Sequence, residues 1–88
     1  MDKAYQVYII RNAESRFYIG LSENVENRVL QHNQGVSRWT RHRGPWHLAW
    51  TSERLTLGDA RKLENKLKEQ KGGVGFTALT GLKRSSGS

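Results

Sequence analysis

Two short stretches of apolar and aromatic residues open the chain. Residues 5 to 10 read Tyr-Gln-Val-Tyr-Ile-Ile and residues 16 to 21 read Arg-Phe-Tyr-Ile-Gly-Leu, with the turn-forming Asn12-Ala13-Glu14-Ser15 between them. Enrichment in β-branched and aromatic side chains around such a turn predicts a β-hairpin. The apolar pattern also suggests a register, because a one-residue slip moves every side chain to the other face of the sheet. Pairing Tyr8 with Tyr18 sets Ile9 against Phe17, Val7 against Ile19 and Tyr5 against Leu21, which gives one continuously apolar face and an odd-numbered loop. Tyr8, Tyr18 and Gly20 then share the other, more polar face.

The period changes after the hairpin. Residues 22 to 34 predict a helix with Ser22 or Asn24 as N-cap, Glu23 and Glu26 near its positive end, and Val25, Val29 and Leu30 as its apolar stripe. Gly35 ends it. Arg28 and His32 lie four apart, on one ridge beside that stripe. The segment from Gly35 to Pro45 is expected to be an ordered loop. Trp46 to Thr51 alternates Trp46, Leu48 and Trp50 with His47, Ala49 and Thr51, which predicts a third strand. Thr56-Leu57-Gly58-Asp59 fits a capping box opening a second helix through about Gln70, with Ala60, Leu63 and Leu67 facing inward. Gly72-Gly73 stops it, Val74 to Leu82 is expected to add a short turn or strand, and residues 84–88 read as a disordered tail. The expected class is therefore α+β: a small three-stranded antiparallel sheet flanked by helices, in the order β-β-α-β-α, forming a single domain over residues 1–83.

Composition narrows what such a domain does. Leu, Ile, Val and Phe supply 19 of the 88 residues, close to the share at which charged chains fail to fold, so the core must be small. With no cysteine, disulfides, thiolate zinc sites and a catalytic thiol are excluded. No apolar run approaches the roughly 20 residues that span a bilayer, and the first residues lead straight into a strand, so a cytoplasmic protein with no membrane contact is expected. Fifteen Lys and Arg against eight Asp and Glu leave a formal charge of +7, which points to a polyanionic partner.

Several residues stand out against that background. Glu64 lies at the edge of the second helix's inward face, where a carboxylate is costly unless it is paired or bound to a metal. A pair with Arg61 or Lys68 is the plain structural reading. Tyr8 and Tyr18 read equally as a cross-strand aromatic pair, and Gly20 as a bulge or as a place where a backbone or ligand approaches closely. Arg28 and His32 can reach the same cleft as the tyrosines. Arg38, Arg41 and Arg43 interleave with Trp39, His42, Trp46 and His47, a combination of phosphate-binding forks and base-stacking rings, although Trp39 and Trp46 can also close a small core.

Taken in order, these parts resemble the GIY-YIG nuclease superfamily: Val7-Tyr8-Ile9, Tyr18-Ile19-Gly20 ten residues on, Arg28 and His32 on the next helix, and Glu64 within the basic helix Ala60-Arg61-Lys62-Leu63-Glu64-Asn65-Lys66-Leu67-Lys68. The resemblance covers residues 5 to 71 and is nearest to small stand-alone bacterial members. It implies hydrolysis of a phosphodiester bond with one divalent metal ion, Mg2+ or Mn2+. It further implies that Tyr8 acts at the attacking water, Tyr18 helps to position or activate it, Arg28 binds the phosphate, Glu64 holds the metal, and His32 assists the general base. Gly20 matches the glycine of the second motif. The first motif here is Val-Tyr-Ile, which keeps the tyrosine, whereas Gly72-Gly73-Val74-Gly75 departs from the basic, aliphatic tail usual after the glutamate helix.

A free tyrosine, with a pKa near 10, is a poor base at neutral pH, so Tyr8 needs a nearby cation of the kind Glu64 would hold. The expectation is a metal-dependent endonuclease acting on nucleic acid, DNA in repair or recombination, with Arg38, Trp39, Arg41, Arg43, Lys68 and Lys71 gripping the substrate and a protein partner supplying any strong specificity. A binding module without turnover on the same fold is the rival reading. A small basic domain meeting a protein through its tryptophans is a third.

Overall fold

The computed structural model describes residues 3–71 and 73–82. Its elements are β1 (Gln6–Asn12), β2 (Phe17–Ser22), α1 (Val25–Asn33), β3 (Trp46–Thr51), α2 (Leu57–Gln70) and α3 (Val74–Thr80). The strands form one antiparallel sheet in the order β2-β1-β3. The fold is thus the α+β arrangement expected, with one more helix. The tail expected at residues 84–88 and the stop expected at Gly72 lie outside the described residues. No described helix is long and apolar enough to cross a membrane.

The hairpin keeps the expected faces but not the expected partners. Tyr8 faces Gly20, Ile9 faces Ile19, and Tyr18 faces Ile10, two residues away from a Tyr8–Tyr18 pairing. A shift of two preserves face parity, so apolar matching cannot distinguish the two registers. The turn decides between them. Asn12 Oδ1 accepts hydrogen bonds from the N–H groups of Glu14 (3.0 Å) and Arg16 (2.9 Å), and Ser15 adopts a left-handed φ of 65°. Those bonds close a three-residue loop, one of the common hairpin connections.

Two cores form, one on each face of the sheet. Val7, Ile9, Phe17 and Ile19 pack with Ala60 and Leu67 of α2 and Phe76 of α3. Tyr8 and Ile10 pack on the opposite face with Val25 of α1 and with Trp46, flanked by Tyr18 and Val29. This second face, expected to be the more polar one, is a core in its own right. A β-bulge between Ile9 and Ile10 breaks the alternation expected along β3, so that Trp46 joins the α1 side while Ala49 and Trp50 pack on the α2 side.

Helix boundaries follow local chemistry. Asn24 caps α1 by accepting from the N–H of Asn27 at 3.0 Å, which starts the helix at Val25; Ser22 still belongs to β2. Leu30 is 60% exposed and is not part of the inward stripe. His32 takes the buried position one turn on. The N-cap of α2 forms as expected, Thr56 Oγ1 accepting from the N–H of Asp59 at 3.2 Å. The segment after α2 is a helix and not a strand: Phe76 anchors α3 in the core, and Gly81, with φ of 77°, ends it in the left-handed region.

Candidate active site

The site is built around Tyr8, in the central strand. The register sets it opposite Gly20, and its ring lies across that glycine so closely that a Cβ there would stand 2.6 Å from the Tyr8 hydroxyl. Gly20 therefore makes room for Tyr8 itself, and not for a second backbone or a ligand. Tyr18 is its diagonal neighbour on the same face, with ring centroids 6.5 Å apart.

His32 closes this cluster from α1. It lies seven residues after the buried Val25, hence on the same side of the helix, and is 1% exposed. Its Nε2 is 2.7 Å from the Tyr8 hydroxyl, its Nδ1 is 2.7 Å from Thr40 Oγ1, and its ring meets that of Tyr18 edge-on at 4.9 Å. Burial, aided by the charge of Arg28, pushes the His32 pKa down to about 4, so the imidazole is neutral at pH 7. Burial pushes the Tyr8 phenol up to about 12. The Arg28 guanidinium beside it opposes that rise, while Tyr18 and the carboxylate of Glu64 add to it. Arg28 is half-buried, and its Nη1 donates to Gln31 Oε1 at 2.8 Å.

Glu64 reaches this cluster electrostatically from α2. Its side chain is 18% exposed and lies 3.4 Å from Lys68 Nζ, the i+4 partner named by the plain structural reading. Such a pair with a half-exposed lysine is weak, worth under about 1 kcal/mol. Among the described residues no three carboxylates, histidines or thiols gather as a metal cage. One hard carboxylate fits magnesium, which commonly keeps several waters and binds through one or two protein carboxylates and phosphate. Mn2+ accepts the same oxygen donors.

Arg38, Trp39, Arg41 and Arg43 all lie on the surface between α1 and β3. Trp39 is 76% exposed and closes no core; Trp46 does so instead, its Nε1 donating to the Thr40 carbonyl at 3.0 Å. Arg41 is tied back by its Nε to the Gly35 carbonyl at 2.9 Å. Lys68 and Lys71 are exposed at the far end of α2. Partial burial, followed by the charges of Lys68 and Arg16, holds the Lys71 ammonium below its usual value.

Two further residues shape the site. Thr40, 1% exposed, completes the hydrogen-bond chain through His32. Asn33 clamps α1 to β3, its Nδ2 donating to the Trp46 carbonyl at 2.9 Å and its Oδ1 accepting from the Trp46 N–H at 2.7 Å. Neither carries a periodic signal, because loop geometry and not helix or strand spacing brings Thr40 and Trp46 to α1.

Residues 4–75 match the family model described as the GIY-YIG catalytic domain. The chain is 34% identical over 70 residues to a UPF0213 protein of Nitratidesulfovibrio vulgaris, covering 78% of this chain and 64% of that one. It is 30% identical over 70 residues to a UPF0213 protein of Oceanobacillus iheyensis, covering 78% and 81%. With a UPF0213 protein of Aeromonas hydrophila it shares 38% identity over 65 residues, covering 73% of this chain and 48% of that one. The match thus spans less than two thirds of two of these three relatives. No solved structure matches the chain. A tyrosine in the central strand, a second on its neighbour, the arginine and histidine of α1 and the glutamate of α2 occur in a chain matched to that model over residues 4–75, and the protein belongs to the GIY-YIG family.

Proposed function

We propose that the protein is an endonuclease that hydrolyses phosphodiester bonds in nucleic acid, with a divalent cation held by Glu64. DNA in repair or recombination, within the cytoplasm, is the setting the family resemblance suggests. The observation that carries this reading is the buried hydrogen bond between the Tyr8 hydroxyl and His32 Nε2, with Arg28 beside it and Glu64 within electrostatic reach. A phenol and an imidazole bond to each other in the interior while a guanidinium and a carboxylate approach from partly exposed positions, the kind of gathering of titratable groups that marks functional sites.

In this reading Tyr8 takes a proton from the attacking water. At a pKa of about 12 it holds its own proton at neutral pH. A divalent cation at Glu64 would supply the positive charge that favours phenolate and offsets the charge of the attacked phosphate. In this reading Arg28 binds the nonbridging phosphate oxygens through its guanidinium. Tyr18, edge-on to His32, positions the water from the β2 side, and His32 supports Tyr8 through their shared hydrogen bond. The exposed Trp39 and the arginines around it offer stacking and phosphate contacts along the approach.

A panel of duplex, branched, flapped and single-stranded DNA and RNA, with Mg2+ or Mn2+, tests the reading beside the Glu64→Ala variant. Wild-type protein is expected to cleave at least one substrate, and the folded variant is expected to cleave none. Equal cleavage by both would remove Glu64 from the site. Salt-sensitive binding without any product would favour the module that binds and does not turn over.

A further inference from the structure

Lys68, expected among the residues that grip nucleic acid, has a nearer partner in Glu64. Its Nζ lies 3.4 Å from Glu64 Oε2, whereas Arg61, the other cation one turn away on α2, makes no ion pair among the described residues. A glutamate four residues before a lysine is the favourable order on a helix, because both charges then agree with the helix dipole. The two side chains differ in freedom. Glu64 is 18% exposed and sits on a stretch of α2 that Leu63 and Leu67 hold against the apolar core, while Lys68 is 53% exposed.

A carboxylate drawn in from solvent needs a counter-charge. Lys68 supplies one that can be exchanged. At 3.4 Å the contact is longer than the roughly 2.7–2.9 Å of a tight charge-assisted hydrogen bond, and a half-exposed pair of this kind is weak. The flexible four-carbon stem lets the ammonium move off while the carboxylate stays where the helix puts it. A divalent cation at Glu64 would bring two positive charges to oxygens the ammonium already neutralises, and like charges at such range repel.

We infer that Lys68 is the internal counter-cation of Glu64: its ammonium neutralises the carboxylate in the absence of a metal ion and competes with a divalent ion for it. Lys68 is thus a positioning residue that acts through Glu64. It keeps the free protein's hold on the ion weak, and so sets the metal concentration the protein requires. The inference rests on the proposed reading that Glu64 holds the metal.

The test is titration with Mn2+ in the absence of nucleic acid at low ionic strength, free ion being read from its electron paramagnetic resonance signal. Wild type is compared with Lys68→Met, Lys68→Arg, Glu64→Gln and the double variant Glu64→Gln/Lys68→Met, each checked for folding by circular dichroism. Lys68→Met is expected to bind Mn2+ on the order of 5-fold tighter than wild type. Lys68→Arg, which keeps the charge, is expected to stay near wild type. Glu64→Gln is expected to lose the ion, and adding Lys68→Met to it is expected to change nothing, since the cycle isolates the pair. Equal or weaker binding by Lys68→Met overturns the inference, and the Glu64 reading stands if Glu64→Gln still loses the ion. A gain from Lys68→Met that persists in the Glu64→Gln background also overturns it, as an effect of net charge alone. Mn2+ binding by Glu64→Gln at wild-type affinity removes Glu64 from the metal site and the inference with it. If wild type binds too weakly to measure, binding by Lys68→Met supports the inference and binding by neither overturns it.

Discussion

The two faces of the sheet are built on opposite principles. Beneath α2 and α3 lies an apolar cluster of Val7, Ile9, Phe17, Ile19, Ala60, Leu67 and Phe76. Beneath α1, Tyr8, His32 and Thr40 are each about 1% exposed and joined by two hydrogen bonds of 2.7 Å. In a chain with so few large aliphatic residues, placing hydrogen-bonded polar groups beside Ile10, Val25 and Trp46 costs stability that the apolar contacts must offset. The polar face also ties the loop between α1 and β3 to the sheet, through Thr40, Asn33 and Trp46, so the same contacts that order the site order the arginine-bearing loop.

Substitutions on the two faces should therefore fail in different ways. Phe76→Ala, on the apolar face, is expected to cost about 3–5 kcal/mol of stability, measured as a fall in the urea midpoint, while cleavage per folded molecule stays at the wild-type value. A change in the metal dependence of the folded fraction would break the contrast.

The next expectation concerns pH and belongs to the polar face alone. His32 titrates at about 4 in the folded protein against 6.5 in the unfolded chain. Below about pH 6.5 the unfolded chain binds the proton first, so this contribution to stability is full above that value and is lost as the pH falls toward about 4. Tyr8 behaves as the mirror case: its folded value of about 12 lies above the ordinary 10.0, so stability is lost as the pH climbs between them. Denaturant midpoints across the pH range should show both limbs, and His32→Gln should flatten the acid one. An acid limb unchanged in that variant would assign it to surface carboxylates.

Smaller still is the effect of Gly20→Ala. The added methyl would meet the Tyr8 hydroxyl at 2.6 Å, and pushing the ring aside is expected to cost about 1–3 kcal/mol and to break the bond to His32. Loss of stability with the Tyr8–His32 contact and the cleavage rate intact would show that the ring can relax without leaving its place.

Local patterns made much of this architecture legible. β-branched and aromatic runs marked the strands, the Thr56 cap fixed the start of α2 while Ser22 and Asn24 competed for that of α1, and strand parity put Tyr8, Tyr18 and Gly20 on one face. Parity could not choose between registers two residues apart; that choice lies in Asn12 and Ser15, whose turn geometry emerges only when the loop closes. The bulge at β3 was hidden for a related reason, since Trp46, Leu48 and Trp50 alternate perfectly in sequence. Arg28, His32 and Glu64 were visible from helical spacing and family resemblance. Thr40 was not, because an irregular loop brings it to His32. Trp39 and Trp46 look alike in sequence, and only the path of that loop buries one and exposes the other.

The comparison rests most directly on Tyr8, the group through which the buried polar face would reach its substrate. Cleavage by Tyr8→Phe should be measured against wild type with Mg2+, on whichever substrate the wild-type protein cuts, at matched folded fractions. The expected result is a folded protein whose rate falls by at least about 100-fold. A Tyr8→Phe protein that cleaves at the wild-type rate would contradict the assignment of chemistry to this face.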